Sequence, residues 1–323
     1  MKNLRAIGLE KNGPRIAVVG SSNMDLVVKS ARIPAVGETI LGGDFIMNPG
    51  GKGANQAVAA ARLGAEVYFA AKLGHDVFAE QSLNNFRKEG VNTEYVFQTE
   101  QAPSGVALIL VDQAGDNVIV VAPGANQKLS PQDVEKAQSA IASSGAVVAQ
   151  LEVPLETVES AARLANGAGV PFILNPAPAQ RLSFELLAMV DVLTPNETEA
   201  AILSGIEVTN EGTAGTAARE LLKCGVKAVI LTMGAKGFLL AAGESTEFVP
   251  AVKVDAVDTT AAGDAFTGAL AVGVAQGQDL RDAAFFANHA AALSVTKMGA
   301  QSSMPTRHEV ERFIRKIQSR GKQ

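Results

Sequence analysis

From residue 15 onward, short apolar runs alternate with longer segments in which apolar residues recur every three or four positions. The short runs read as buried strands and the longer ones as helices packed on them. They fall at 15–20 (strand), 54–63 (helix), 66–73 (strand) and 76–89 (helix). The order resumes with 146–151, 155–165, 171–175, 192–194 and 228–232. Alternation of this kind builds parallel βαβ units, so the fold class expected is α/β: a doubly wound, mostly parallel sheet with helices on both faces. In such a sheet ligands sit beyond the carboxyl ends of the strands.

Two segments break the alternation. Residues 23–45 hold apolar runs separated by Pro34 and Gly37, and residues 104–121 read as a hairpin of two Val/Ile-rich strands around Asp112-Gln113-Ala114-Gly115-Asp116. Both leave the main sheet near its ligand edge. They are assigned to one small β-sheet lid, made of segments at about 23–50 and 93–122, inside a single domain of residues 15–323. Residues 1–14, with scattered charges and no apolar stretch, are read as an N-terminal tail.

Composition narrows the function classes. Of the 323 residues 47% are hydrophobic and 19% charged, enough apolar material for a large core. Aromatic residues make up only 5%, with no Trp, and frequent Gly and Ala suit close helix packing and backbone turns near a ligand. A net charge of −5 leaves no basic surplus for a nucleic-acid partner. The single cysteine, Cys224, excludes an internal disulfide framework and fits a reducing compartment. No run is long enough to span a bilayer, so no membrane partner and a cytoplasmic location are expected.

Two glycine-rich turns carry the chemistry. Asp258-Thr259-Thr260-Ala261-Ala262-Gly263-Asp264 runs directly into the helical pattern Ala265-Phe266-Thr267-Gly268-Ala269-Leu270. Free N–H groups and the positive dipole end of a first helical turn make an anion site. Asp264 there can accept a hydroxyl proton while the amides of Ala261, Ala262 and Gly263 hold charge developing on a phosphoryl group. The plainer reading is an Asp that merely caps the helix. The other turn is Asn48-Pro49-Gly50-Gly51-Lys52-Gly53-Ala54-Asn55-Gln56. It is no Walker A loop, because Gly53 follows Lys52 where Ser or Thr is required. Its amides, Lys52 and Asn55 suit a ligand rich in hydroxyls, though a simple strand-to-helix connection reads the same way.

Together the two turns resemble the two signature regions of the phosphofructokinase B (ribokinase) family of carbohydrate kinases. The first extends from Gly50-Gly51-Lys52-Gly53-Ala54-Asn55 to Gly64 and Gly74, the second ends at Gly263-Asp264, and the likeness covers nearly all of the chain between them. It implies a kinase that moves the γ-phosphate of ATP to the 5-hydroxyl of D-ribose. Deoxyribose, fructose or a nucleoside is the rival acceptor, and a non-catalytic sugar- or nucleotide-binding regulator the rival class. A dinucleotide-dependent oxidoreductase is disfavoured, because no G-x-G-x-x-G follows the first strand.

The resemblance also assigns residues. Asn23, Asp25, Gly51, Lys52, Asn55, Glu152 and Asp264 would bind the sugar. Asn196, Thr232, Gly234, Ala235, Lys236, Gly237, Gly263 and Asn288 would line the nucleotide. Asn196-Glu197-Thr198-Glu199 looks like the family's Asn-x-x-Glu motif, in which Glu199 positions Mg²⁺ through water. A K⁺ ion would take oxygens from Asp258, Thr260, Ser294, Gly299 and Ser303, with Lys297 giving its backbone carbonyl. The lids of two subunits are expected to pair into a homodimer, for which the lid's free edge supplies a physical reason. One departure stands out: Ala261 occupies a position where many relatives have Gly. His75, His289 and His308 have no metal-binding spacing.

Overall fold

Along Arg15–Val19 (β1), Ile16 and Val18 point into one apolar core while Ala17 and Val19 point into another. A strand buried on both faces needs an unbroken apolar run, which is why its sequence does not alternate with polar residues. The structure, a computed structural model, describes residues 13–320. The expected tail lies outside the described residues except for Gly13 and Pro14, and Pro14 already belongs to the fold: its carbonyl accepts from Glu66 N at 3.0 Å.

After β1 the strands are Asn23–Lys29 (β2), Phe45–Gly50 (β3), Glu66–Leu73 (β4), Val91–Asn92 (β5), Val96–Gln98 (β6), Gly105–Val111 (β7) and Asn117–Ala122 (β8). Ala146–Ala149 (β9), Phe172–Leu174 (β10), Val192–Leu193 (β11), Ala228–Thr232 (β12), Gly237–Ala242 (β13) and Ser245–Pro250 (β14) follow. The α-helices are Lys52–Arg62 (α1), Val77–Lys88 (α2), Pro131–Lys136 (α3), Gln138–Ala142 (α4), Leu155–Gly167 (α5) and Phe184–Leu187 (α6). The remaining five are Glu197–Ser204 (α7), Glu211–Lys223 (α8), Ala262–Ala275 (α9), Leu280–Ser294 (α10) and Arg307–Arg320 (α11).

The main sheet has the order β14-β13-β12-β11-β10-β9-β1-β4-β5, with β6 also pairing with β4. It is parallel from β12 to β5, and β13 and β14 add an antiparallel edge. Helices α3 to α8 cover one face, through residues such as Val134, Val158 and Leu221. On the other face lie α1, α2, α9, α10 and α11, through Ala57, Phe86, Leu270, Ala287 and Val310. The α/β expectation is met. Several expected strands stop early: β1 at Val19, β9 at Ala149 and β11 at Leu193. In each case the next residues leave the sheet as polar loops at its carboxyl edge.

Helix α1 starts two residues before its expected position, because Gly51 (φ 88°) turns the chain out of β3 and lets Lys52 begin the helix. A side chain on Gly51 would press on the backbone of Ser22 and Asn23, so glycine is required there. The small sheet has the order β3-β2-β7-β8 and grows directly out of β1 through Gly20-Ser21-Ser22. Its expected second segment begins too early at 93, since Val96–Gln98 pairs with β4 of the main sheet and not with the lid. The hairpin between β7 and β8 closes as expected, with Asp112 N donating to Asp116 O (3.0 Å) and Gly115 at φ 88°.

Candidate active site

Helices α1 and α9 cross closely because their facing residues are small. A side chain on Gly268 would come within 2.7 Å of Ala59 Cβ and 2.8 Å of Gln56 O. This crossing sets the start of α9 against the start of α1, and Asp264, 4% exposed, is held there by two amides. Asn55 Nδ2 donates to Asp264 Oδ2 and Gln56 Nε2 to Asp264 Oδ1, each at 2.9 Å. The N-cap of α9 is Ala261, a non-glycine residue in the left-handed region (φ 58°, ψ 17°) with no side-chain cap bond. That conformation costs on the order of 1–2 kcal/mol for an L-residue, and strain of this kind gathers at functional sites. The amide of Ala262 is taken up by Thr259 O at 3.2 Å. The donors left at the turn therefore come from its neighbours, Gly263 among them.

On one side of Asp264 gather polar side chains whose chemistry suits hydroxyl groups. Asn23 and Asp25 come from β2, Asn55 from α1 and Glu152 from the loop after β9. The Glu152 carboxylate accepts from Lys52 N (3.0 Å) and from the hydroxyl of Ser21. Asn23 Oδ1 accepts from Asn126 Nδ2 at 2.7 Å, and Asn126 is itself pinned to the backbone of Ser22. Asn55 Oδ1 is buried without a protein partner, an acceptor left for a donor such as a hydroxyl. Burial pushes the Asp25 carboxyl up to about 7, and the negative charges of Glu152 and Asp264 add to it. Its carboxylate lies across Gly50, where any side chain would collide with it.

On the other side is a cavity of about 190 Å³ bordered by Lys52, Asn196, Glu199, Thr232, Ala261 and Asp264. The side chain of Lys52, which the sequence reading gave to the sugar, thus faces the cavity suited to phosphate. Asp264 raises its ammonium pKa above the ordinary value against the opposing effect of burial, and Glu152 and Glu199 reinforce it. Asn196 and Glu199 form a reciprocal cap on α7: Asn196 N donates to Glu199 Oε2 (2.9 Å) and Glu199 N to Asn196 Oδ1 (2.8 Å). Burial raises the pKa of Glu199, against the Asn196 amide and Lys52. A buried carboxylate with lone pairs to spare beside a phosphate cavity fits a hydrated divalent cation.

Next to this cavity a groove of about 440 Å³ runs past Gly234, Ala235, Val252, Asn288, Ala292 and Val295. Asn288 is steadied by donating to Pro250 O at 3.1 Å. Lys236 turns away to pair with Glu197 (2.9 Å), and Gly237 is built into β13.

The two loops expected to hold a cation meet at Asp258. Its carboxylate accepts from Thr260 N (2.9 Å) and Gly299 N (2.8 Å), while Val257 and Asp258 donate to Val295 O. Burial opposes ionisation of Asp258, but the hydrogen bonds from Thr260 and Gly299 outweigh it and lower its pKa. Lys297 Nζ is drawn off to Glu309 at 2.8 Å, which takes its positive charge away from these loops. Ser294 and Ser303 spend their hydroxyl protons on Ala291 O and Ala300 O, which leaves hydroxyl oxygen lone pairs free. An oxygen-only donor set with one carboxylate fits a weakly hydrated monovalent cation.

Sequence reasoning missed the layer beneath the site. Gln56, Gln150, Asn175 and Thr194 are buried and bonded to one another or to the Asp264 carboxylate, and Asn126 fixes Asn23. The signal was a polar residue set directly after a buried strand, as in Phe172-Ile173-Leu174-Asn175 and Val192-Leu193-Thr194.

A buried carboxylate at a helix start, with polar side chains of β2 and α1 on one side and a cavity bordered by a lysine on the other, is the arrangement a phosphoryl-transferring enzyme needs. Comparison with known proteins makes the class specific. The pattern of the pfkB family of carbohydrate kinases matches residues 14–307. The ribokinase of Haemophilus influenzae is 44% identical over 93% of this chain and 98% of its own length. The deoxyribokinase of Salmonella typhi is 41% identical with the same coverage. The structure of Arabidopsis thaliana ribokinase complexed with ribose and ATP superposes with a TM-score of 0.88 at 34% identity, over 93% of this chain and 98% of that one. This chain belongs to the pfkB family of carbohydrate kinases, enzymes that transfer phosphate to a sugar hydroxyl.

Proposed function

We propose that this protein transfers the γ-phosphate of ATP to the 5-hydroxyl of D-ribose, with Asp264 as general base. The observation that carries this reading is the position of Asp264, joined to Asn55 of the sugar cleft and bordering the phosphate cavity. The ribokinase relatives favour ribose as acceptor. Asp264 takes the proton of the attacking hydroxyl while Asn23, Asp25, Asn55 and Glu152 hold the others. Lys52 and the amides at the start of α9 then face the charge on the transferring group. The nucleotide lies along the groove past Gly234, Ala235 and Asn288. Glu199 would hold Mg²⁺ through water, and the ion would supply positive charge to neutralise the nucleotide phosphates. The 258–260 and 294–303 loops would hold K⁺ on their oxygens, and its charge would steady the turn that leads into α9. The small sheet closes over the sugar and pairs with that of a second copy. A single free cysteine and ATP as donor point to the cytoplasm; recovery of the native protein outside the cytosolic fraction would overturn that location. Among the described residues no helix is long and apolar enough to cross a membrane.

The test is ADP formation from MgATP with D-ribose, 2-deoxyribose, fructose and nucleosides. D-ribose is expected to give the highest kcat/KM. Asp264→Asn should lower kcat by roughly 10²- to 10⁴-fold with nucleotide binding retained. Near wild-type turnover in that variant refutes the assignment of the base. The deoxyribokinase relative keeps one second reading open, that 2-deoxyribose is the preferred acceptor, and the same screen decides it.

A further inference from the structure

We propose that Gln56 is a positioning residue for Asp264, oriented in turn by buried hydrogen bonds with Asn175 and Gln150. The inference rests on Asp264 being the base proposed above. Gln56 and Gln150 are 0% exposed, so water cannot stand in for a partner of either, and Asn175 is 7% exposed at the border of the cavity beside Asp264. Gln150 Nε2 donates to Gln56 Oε1 at 2.6 Å. Both hydrogens of Gln56 Nε2 are then committed, one to Asp264 Oδ1 at 2.9 Å and one to Asn175 Oδ1 at 3.1 Å. Asn175 is fixed the same way, because its Nδ2 donates to Thr194 O at 3.0 Å.

Gln56 and Asn175 each have only one orientation that works. A flipped Gln56 would set its oxygen against those of Asp264 and Asn175, and its NH₂ against that of Gln150. Asn175, anchored on the backbone carbonyl of Thr194, therefore dictates which atom of Gln56 meets the base, and Gln150, whose Oε1 has no protein partner, supports that orientation by donating to Gln56 Oε1. Asn55 alone would let the carboxylate pivot about Oδ2; the bond from Gln56 to the other oxygen fixes its plane. Gln56 lines neither the phosphate cavity nor the nucleotide groove, so it acts on the reaction only through Asp264. The charged groups that act on the same carboxylate are Lys52 of α1, Asp25 of β2 and Glu199 of α7, and none of them bonds to Gln56.

The experiment is a double-mutant cycle of the full chain: wild type, Gln56→Met, Asp264→Asn and the pair. Methionine keeps the length and removes the amide. A base displaced by about 1 Å costs on the order of 10²-fold, so Gln56→Met should lower kcat by about that factor with KM for ribose and ATP held within roughly threefold. Added to Asp264→Asn it should cost less than about twofold more, because residues that act as one unit are not additive. Losses that multiply, or a loss confined to KM, overturn the proposal. Gln150→Met removes the orienting donor without touching Asp264, and serves if Gln56→Met fails to fold. It should lower kcat in the same non-additive way, and wild-type kcat in that variant overturns the chain of orientation. Wild-type turnover in Asp264→Asn alone is a different result, which removes the base assignment itself.

Discussion

Asp25 carries a proton near neutral pH in the empty site, since burial raises its carboxyl to about 7 and Glu152 and Asp264 hold it there. An unfolded chain releases that proton near 3.8. The folded state thus binds it more tightly, so the stabilisation is full below about pH 4 and is lost as pH rises through about 7. Asp25→Asn removes this dependence. At pH 8 the sugar-free variant should gain up to about 4 kcal/mol over wild type, taking one pKa unit as about 1.4 kcal/mol, and the gain should shrink as the pH is lowered to 5. The same change turns one of the two acceptor oxygens into a donating NH₂ that faces sugar hydroxyls, so kcat/KM for ribose should fall at least tenfold, about 1.4 kcal/mol, with the KM for ATP little altered. Thermal melts at both pH values and steady-state kinetics check this. An equal melting shift at pH 8 and pH 5, or equal losses for sugar and ATP, would count against it.

Two loops and one helix start form a unit at the scale of elements. Asp258 ties the loop before α9 to the loop after α10 through Thr260 and Gly299, and the strained Ala261 follows directly. A K⁺ ion between these loops would rest on their oxygens and steady the turn whose amides are proposed to face phosphate. Losing the alignment of one such donor costs about 2.7–4 kcal/mol in a hydrolase oxyanion hole. Initial rates in buffer free of sodium and potassium should therefore rise severalfold or more on titration with KCl, and far less with LiCl at equal ionic strength. No change with KCl, or the same rise with both salts, would remove the site. The elements themselves were legible because strands buried on both faces, such as Ala146-Val147-Val148-Ala149, are unbroken apolar runs. Their carboxyl ends were not, since Gln150 and Thr194 are polar site residues that leave the sheet. The antiparallel edge of β13 and β14 was missed: nothing local in Phe238-Leu239-Leu240 tells an antiparallel strand from a parallel one. The glycine turns stood out through their composition. The amide chain did not, because residues 56, 150, 175 and 264 meet only once the sheet order is known.

At the scale of the whole molecule the small sheet is the part left uncovered. Ile119 and Val120 on β8 are 52% and 60% exposed, Phe45 and Leu108 are exposed nearby, and β8 has a sheet partner on one side only. An apolar, open-edged sheet is stable in water when another copy covers it. Sedimentation should give a dimer, and Ile119→Lys a folded monomer with weakened sugar use; a wild type that stays monomeric at micromolar concentration excludes the pairing. Beneath the lid, Gly53 and Gly268 sit where an added side chain would strike fixed backbone: Ser21 N at 2.6 Å for the first, Gln56 O at 2.8 Å for the second. Relatives named for ribose and for deoxyribose stand at 44% and 41% identity to this chain, so one family serves both acceptors. The crossing of α1 and α9 leaves a new specificity little room for manoeuvre, because a side chain at Gly268 would wedge the two helices apart and carry Asp264 away from Asn55 and Gln56. Whatever sugar is favoured, the carboxylate has to be approached from the same quarter.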